Sequence, residues 1–381
     1  MKIVRNILRA IMLLYKRILC KLAFATTSVE SETVVFESFQ GRSYACNPRA
    51  IFEELRDAKN KNYTLIWSFR DSNKKVEGAS TVKYESWGYY RALGRAKYWI
   101  FNSNVRPFLK PKAEQIFVQT WHGTPLKKIG MDVPTSPLNY KNEAQKFSYM
   151  ISPSKYCTEK LISAFGLDQL GKEDIVLETG YARNDELQSR TGDVEQIKKQ
   201  LGIPADKKVI LYAPTFRDNK HSEVGGYSNA DGLDWDKLRE QIGDDYVVLF
   251  RAHYFVAKQL NVSKYEGFVF NVSSYENVNE LYIASDILVT DYSSVFFDYA
   301  NLHRPIYFYM YDSDDYKTNA RDFYIGEEEL PGPVARTQDE LVQMINNGNK
   351  EWQDKYDAFN AKFNYLDNGH CARTIIERIG L

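Results

Sequence analysis

Residues 286–309 read DILVTDYSSVFFDYANLHRPIYFY. An apolar run at 287–290 ends in the turn Asp291-Tyr292-Ser293-Ser294, and a helical pattern follows over 295–302. After His303-Arg304-Pro305 a second apolar run begins at 306–309. Short apolar runs bounded by turn residues are buried strands, and their alternation with a helix is the mark of an α/β sheet. The fold class is therefore α/β.

The same alternation extends outward in both directions. Strands are expected at 33–39, 63–69, 98–102, 115–121, 149–152 and 175–181, with helices at 48–59, 87–96 and 155–165. A second series has strands at 209–213, 246–250, 268–271, 287–290 and 306–309. Its helices fall at 235–241, 278–284, 295–302 and 338–345. The polar stretch 183–208, with its Gly202-Ile203-Pro204 turn, reads as the break. The pattern predicts two doubly wound, Rossmann-like domains, 30–190 and 191–381, facing each other across a cleft. Ligands of open α/β sheets bind beyond the carboxyl ends of the strands, so the candidate residues are those just after them.

The chain has 381 residues, enough for two cores, and 50 basic against 50 acidic side chains. That neutrality is uneven. Residues 1–29 carry Lys2, Arg5, Arg9, Lys16, Arg17 and Lys21 and no acid. Val4, Ile7, Leu8, Ile11, Leu14, Tyr15, Ile18, Leu19 and Leu22 recur among them with a helical period. The longest uncharged run, 10–15, is far short of the about twenty residues that a spanning helix needs. It is also too short for the core of a signal peptide, and no small-residue cleavage site follows. Residues 1–29 thus read as an amphipathic helix lying in a membrane interface, its cations on anionic headgroups. Deleting residues 2–25 is then expected to leave a folded chain. The four cysteines are widely separated and suggest neither a zinc site nor a disulfide framework.

Four strand ends carry chemistry. QTWHGTPLKKIG at 119–130 places His122, Thr124 and Lys127 after a strand, and APTFRD at 213–218 places Arg217. FRAH at 250–253 brings Arg251 and His253. In 286–309, Asp291 is followed by Ser293 and Ser294, natural N-caps for a helix start that can bind phosphate. His221, His303 and His370 read as structural or solvated. GxGxxG, GxxxxGK[ST] and GxSxG motifs are absent, which argues against dinucleotide redox chemistry, P-loop hydrolysis and serine hydrolysis. Asp312-Ser313-Asp314 fits the short DxD pattern of metal-dependent sugar transferases, but a solvated loop explains it better. No metal and no cofactor is expected; cations at strand ends point to an enzyme acting on phosphate.

The motifs WHGTPLKKIG, APTFRD, FRAH and 289–309 occur in order over about half the chain. In them the sequence resembles the CDP-glycerol glycerophosphotransferases of teichoic-acid synthesis. The resemblance implies a GT-B architecture, with the acceptor on the N-terminal domain and the CDP-activated donor on the C-terminal one. It implies transfer of glycerol phosphate from CDP-glycerol to a lipid-linked disaccharide acceptor, releasing CMP, on the cytoplasmic face of the cell membrane. In that chemistry His122 is the expected general base. Arg217, Arg251, His253, Ser293 and Ser294 stabilise phosphoryl charge, Asp291 orients, and Thr124 and Lys127 contact acceptor or phosphate. Partners are CDP-glycerol, the lipid-linked acceptor and an anionic membrane surface met by residues 1–25; no nucleic acid is expected. The compact chain looks more like the primase type, which adds one unit, than like a chain-extending polymerase. A GT-B glycosyltransferase using a nucleotide sugar is the enzymatic rival, and a catalytically dead membrane scaffold is the rival from another class.

Overall fold

Parallel strands buried on both faces are near-continuous apolar runs, and the runs read above become two parallel sheets. In the computed structural model, residues 2–58, 62–134, 140–215, 232–252, 262–313, 322–348 and 352–381 are described. The first sheet contains β1 (Glu30–Glu37), β2 (Thr64–Phe69), β3 (Ser80–Lys83), β4 (Ala96–Phe101), β5 (Ile116–Gln119), β6 (Tyr149–Ser152) and β7 (Val176–Glu178), in the order β3-β2-β1-β4-β5-β6-β7. The second contains β8 (Lys208–Ala213), β9 (Tyr246–Phe250), β10 (Val269–Asn271), β11 (Ile287–Thr290), β12 (Ile306–Tyr309) and β13 (Val334–Ala335), in the order β10-β9-β8-β11-β12-β13. The 286–309 stretch forms the unit it promised: Leu288 pairs in parallel with Ile306, and Thr290 with Phe308. Each order reverses beside its first strand, between β1 and β4 and between β8 and β11. A doubly wound sheet binds its ligand at such a reversal.

Two compact units result. Unit 1 takes Met1–His122, Gly130–Arg183 and His370–Leu381; unit 2 takes Gly123–Ile129 and Asn184–Gly369. The break between the two series falls at 183/184, inside the polar stretch 183–208 and a little before the expected 190/191, and two segments cross it. The last helix, Cys371–Ile379, belongs with unit 1, because Ile375 and Ile379 enter its core beside Phe52 and Leu55. The segment after His122 belongs with unit 2: Lys127 bridges to Phe323 in antiparallel fashion, and the Lys128 and Tyr324 N–H groups bond the Asp322 and Leu126 carbonyls (both 2.8 Å). Residues 183–208 carry that break and have structure of their own. They hold helices Asp185–Ser189 and Val194–Leu201, the latter anchored by fully buried Ile197.

The many aromatics explain themselves in the cores. Trp67 stacks between Phe36 (5.6 Å) and Phe69 (5.7 Å) in unit 1, and in unit 2 Trp235 meets Phe250 edge-on (5.8 Å). Unit 2 is pinned by a buried polar network. Asn184 Nδ2 donates to Asp298 Oδ1 (3.2 Å) and Asp367 Oδ2 (2.6 Å), and Asn301 Nδ2 donates to the same Asp367 oxygen (3.2 Å). Asp298 and Asn301 of the 286–309 stretch are thus structural.

The N-terminal helix runs over Lys2–Ala25. Its apolar stripe faces solvent: Val4, Ile7, Leu8, Ile11, Leu14 and Ile18 are each 47–60 % exposed. Its last turns are different. Cys20 and Ala23 are buried, Phe24 meets Trp99 edge-on (6.1 Å), and Lys112 Nζ ties the Gly94 carbonyl (2.9 Å) to that of Thr27. Gly94 allows the close approach, since a Cβ there would collide with Thr27 Oγ1. Removing residues 2–25 would therefore take away the packing that 20–25 make with the body. Among the described residues, no helix is long and apolar enough to cross a membrane.

Candidate active site

In unit 1 the reversal between β1 and β4 is closed by Asn102. Its Oδ1 accepts from the Phe39 N–H (2.8 Å), and its carbonyl lies 2.6 Å from His122 Nδ1. A carbonyl can only accept, so Nδ1 carries the proton and Nε2 is left with its lone pair. The loop carrying His122 is held from below: Asn47 Nδ2 donates to the Thr120 carbonyl (2.9 Å), while Asn47 Oδ1 accepts from the Arg183 N–H (3.1 Å). Trp121, tilted against the imidazole at 4.2 Å, has φ of +51°. Phe39, Gln40 and Cys46 also have positive φ. Left-handed backbone costs a non-glycine residue about 1–3 kcal/mol and concentrates where structure over-determines a site.

The His122 ring is crowded by protein yet still reached by solvent. Lost hydration pushes its imidazole down to about 4; the Asn102 carbonyl opposes the fall and the Arg183 guanidinium adds to it. Solvent access to the ring offsets part of that desolvation. His122 is neutral at neutral pH.

Glu37 ends β1 and is 2 % exposed. Burial raises its carboxyl to about 7; Ser68 and Tyr89 favour the charged form, Glu85 opposes it and Arg70 supports it. None of these satisfies Oε2, which has no hydrogen-bond partner among the described residues. A folded pKa above the unfolded one means that the fold keeps a proton which the unfolded chain releases. This contribution is full below about 4.5 and is lost as pH rises towards about 7, costing about 3 kcal/mol at alkaline pH. Glu37→Gln is therefore expected to raise Tm at pH 8 and to change it little at pH 4. Equal changes at both pH values in thermal denaturation would show that Glu37 does not titrate in this window.

In unit 2 the reversal between β8 and β11 is closed by Asp291. Its buried carboxylate accepts from the N–H groups of Thr215 (2.8 Å) and Tyr292 (2.6 Å) on Oδ1. Ser293 and Ser294 follow, half-buried. The capping expectation is corrected here: Ser294 occupies the N-cap position but its side chain makes no cap bond, and the helix, Val295–Tyr299, is only five residues long. Arg251 follows β9, half-buried, and its Nη1 donates to the carbonyls of Val272 (3.0 Å) and Tyr275 (2.8 Å). That nitrogen braces the next loop, while burial lowers the guanidinium pKa. Thr124 is almost wholly buried, and Lys127 is half-buried. Asp312 is buried at 3.5 Å from the Tyr292 hydroxyl, contrary to the solvated loop expected there. Arg217, His253, His221 and Asp314 lie outside the described residues.

A family model matches residues 18–381: CDP-Glycerol:Poly(glycerophosphate) glycerophosphotransferase. The chain belongs to this glycerophosphotransferase family. It is 41 % identical over 367 residues to a teichoic acid poly(glycerol phosphate) polymerase of Staphylococcus epidermidis, covering 91 % of this chain and 50 % of that protein. A Bacillus spizizenii protein of the same name is 39 % identical, with 91 % of each chain covered. The teichoic acid glycerol-phosphate transferase of Staphylococcus aureus is 38 % identical, with 91 % of this chain and 92 % of that one covered. The chain thus spans about half the length of one of these relatives and nearly all of the other two. A solved structure of the wall teichoic acid polymerase TagF superposes with a TM-score of 0.89 at 38 % identity, covering 100 % of this chain and 96 % of that one. The UDP-GlcNAc 2-epimerase of Methanocaldococcus jannaschii, at 12 % identity and a TM-score of 0.54, shares the fold alone.

The strand-end residues signalled by the motifs divide between the two reversals. His122 stands by the first; Asp291, Ser293 and Ser294 stand by the second. Asn102, Asn47 and Arg183 went unnoticed in the sequence. Asn102 had a faint signal, the polar Asn-Ser-Asn run closing β4. Asn47 and Arg183 had none.

Proposed function

We propose that this chain transfers glycerol phosphate from CDP-glycerol to a lipid-linked teichoic-acid acceptor and releases CMP. The observation that carries the reading is the His122–Asn102 hydrogen bond of 2.6 Å, which fixes the tautomer with a basic Nε2 on a neutral ring. The acceptor hydroxyl gives its proton to that nitrogen as its oxygen attacks the β-phosphorus. The new O–P bond forms as the bond to the bridging oxygen breaks, and CMP leaves with the electron pair. Arg251, Ser293 and Ser294 serve the donor phosphates. Asp291, already holding two backbone N–H groups, orients and does not attack. Arg217 and His253 take the phosphate-stabilising roles implied by the family resemblance. Two parallel sheets, each with the Rossmann strand order, support a GT-B architecture.

Glycerol is favoured over ribitol as the transferred unit. Relatives named for glycerol phosphate are 37–41 % identical, against 26–28 % for those named for ribitol phosphate. Compactness does not separate single from repeated addition, because the Bacillus spizizenii relative, covered over 91 % of its length, is named a polymerase. Those names favour repeated addition. The exposed apolar stripe of the N-terminal helix, flanked by cations, supports seating on an anionic membrane surface, and the family resemblance implies the cytoplasmic face.

The test is CMP release with defined lipid acceptors. CDP-glycerol should be turned over and UDP-sugars should not, with a ladder of products from one acceptor. Because the neutral imidazole is the active form and its pKa is lowered, activity is lost only as pH falls through the folded value. The acid limb of kcat/KM should therefore lie well below 6.5. Turnover of a UDP-sugar in place of CDP-glycerol would sink the proposal.

A further inference from the structure

One groove belongs to neither strand-order reversal. It has a volume of about 610 Å³ and is lined by Arg5, Leu8, Arg9, Met12, Leu13 and Lys16 of the N-terminal helix and by Arg106 of the loop after β4. Four cations therefore face one space. Among the described residues a single carboxylate serves them: Glu85 pairs with both Lys16 and Arg106. Burial alone would raise the Glu85 pKa, but those two partners outweigh it and hold the carboxyl below its ordinary value. Arg5 and Arg9 have no ion-pair partner among the described residues and are exposed.

We infer that this groove holds the diphosphate headgroup of a membrane lipid. The charge balance favours that headgroup: Glu85 offsets one of the four positive charges, and a singly charged phospholipid would still leave two uncompensated, which a doubly charged diphosphate reduces to one. Arginines four residues apart on one helix face can each grip phosphate oxygens with paired N–H groups. The apolar share of the lining decides the rest. Leu8, Met12 and Leu13 are each about half-exposed beside the cations, a path for a hydrocarbon chain that free diphosphate would not need. The inference rests on the membrane reading above and deepens it, making the helix a seat for the lipid that carries the acceptor as well as an anchor. Arg5, Arg9 and Lys16 precede the span matched by the family model, which begins at residue 18.

The experiment measures binding of the full chain to phosphatidylcholine vesicles carrying either a polyprenyl diphosphate or phosphatidylglycerol at equal surface charge. Wild type should bind the diphosphate vesicles at least about tenfold more tightly. The double variant Arg5→Ala/Arg9→Ala should lose that preference. Arg17→Ala/Lys21→Ala, which removes two cations outside the groove, should weaken both affinities alike and keep the preference. Equal affinity for the two vesicles at matched charge overturns the groove assignment and leaves the membrane reading standing. So does equal loss of preference in the two double variants. Failure to bind either vesicle overturns the membrane reading itself.

Discussion

His122→Ala is expected to lower kcat by about 10²–10⁴-fold while CDP-glycerol affinity changes little, because a general base acts in the transition state and not on the bound donor. The alanine variant alone would not separate chemistry from positioning, since it also removes the bond to the Asn102 carbonyl. His122→Asn separates them. An asparagine amide can donate to that carbonyl as Nδ1 does, but it has no base in place of Nε2. Both variants should be equally slow, with donor binding measured by calorimetry close to wild type. If either keeps more than about a third of wild-type kcat, His122 is not the base. If asparagine restores activity that alanine loses, the residue serves only to hold the loop beside Trp121.

Removing residues 2–15 is expected to lower affinity for anionic vesicles by at least about 10³-fold. Lys2, Arg5 and Arg9 contribute roughly 1 kcal/mol each near a charged surface, and tenfold in affinity is about 1.4 kcal/mol. The apolar side chains lost with them, at about 25 cal/mol per Å² buried, carry the effect further. The cut falls before Lys16 because Lys16 pairs with Glu85 and because Cys20, Ala23 and Phe24 pack on the body. CDP-glycerol binding and turnover of a short-chain soluble acceptor should survive, while turnover of acceptor embedded in vesicles should fall sharply. A truncated chain that binds vesicles as well as wild type would refute the membrane seat. One that aggregates or loses turnover of the soluble acceptor would place the exposed stripe in the core.

Much of the scaffold was legible along the chain, for a local reason. Strands buried on both faces must be apolar nearly throughout, so β6, β9, β11 and β12 could be delimited residue by residue. The edge strands β3 and β13 could not. Ser-Thr-Val-Lys is only partly covered and Val-Ala is two residues long, so neither carries a pattern that burial has imposed. The positions of the strand-end residues were legible too, because a parallel strand buried on both faces ends where its apolar run ends.

What the linear chain could not carry is whatever depends on partners remote in it. That His122 follows a strand was visible in the apolar run before Trp-His-Gly-Thr; that its Nδ1 holds the proton depends on the Asn102 carbonyl, and that its pKa is lowered depends on burial and on Arg183, brought close only by packing β4 beside β5 and folding the chain back past Asn47. Serine before a helix is a strong local sign of capping, yet the Ser294 side chain makes no cap bond in the tight turn after β11. The C-terminal helix looks like an appendage of the second series, but burial of Ile375 and Ile379 assigns it to the first unit. Local propensity sets where elements begin and end. Tautomer, protonation, cap use and unit membership are set by desolvation and hydrogen bonding between distant residues, and tertiary structure alone decides those.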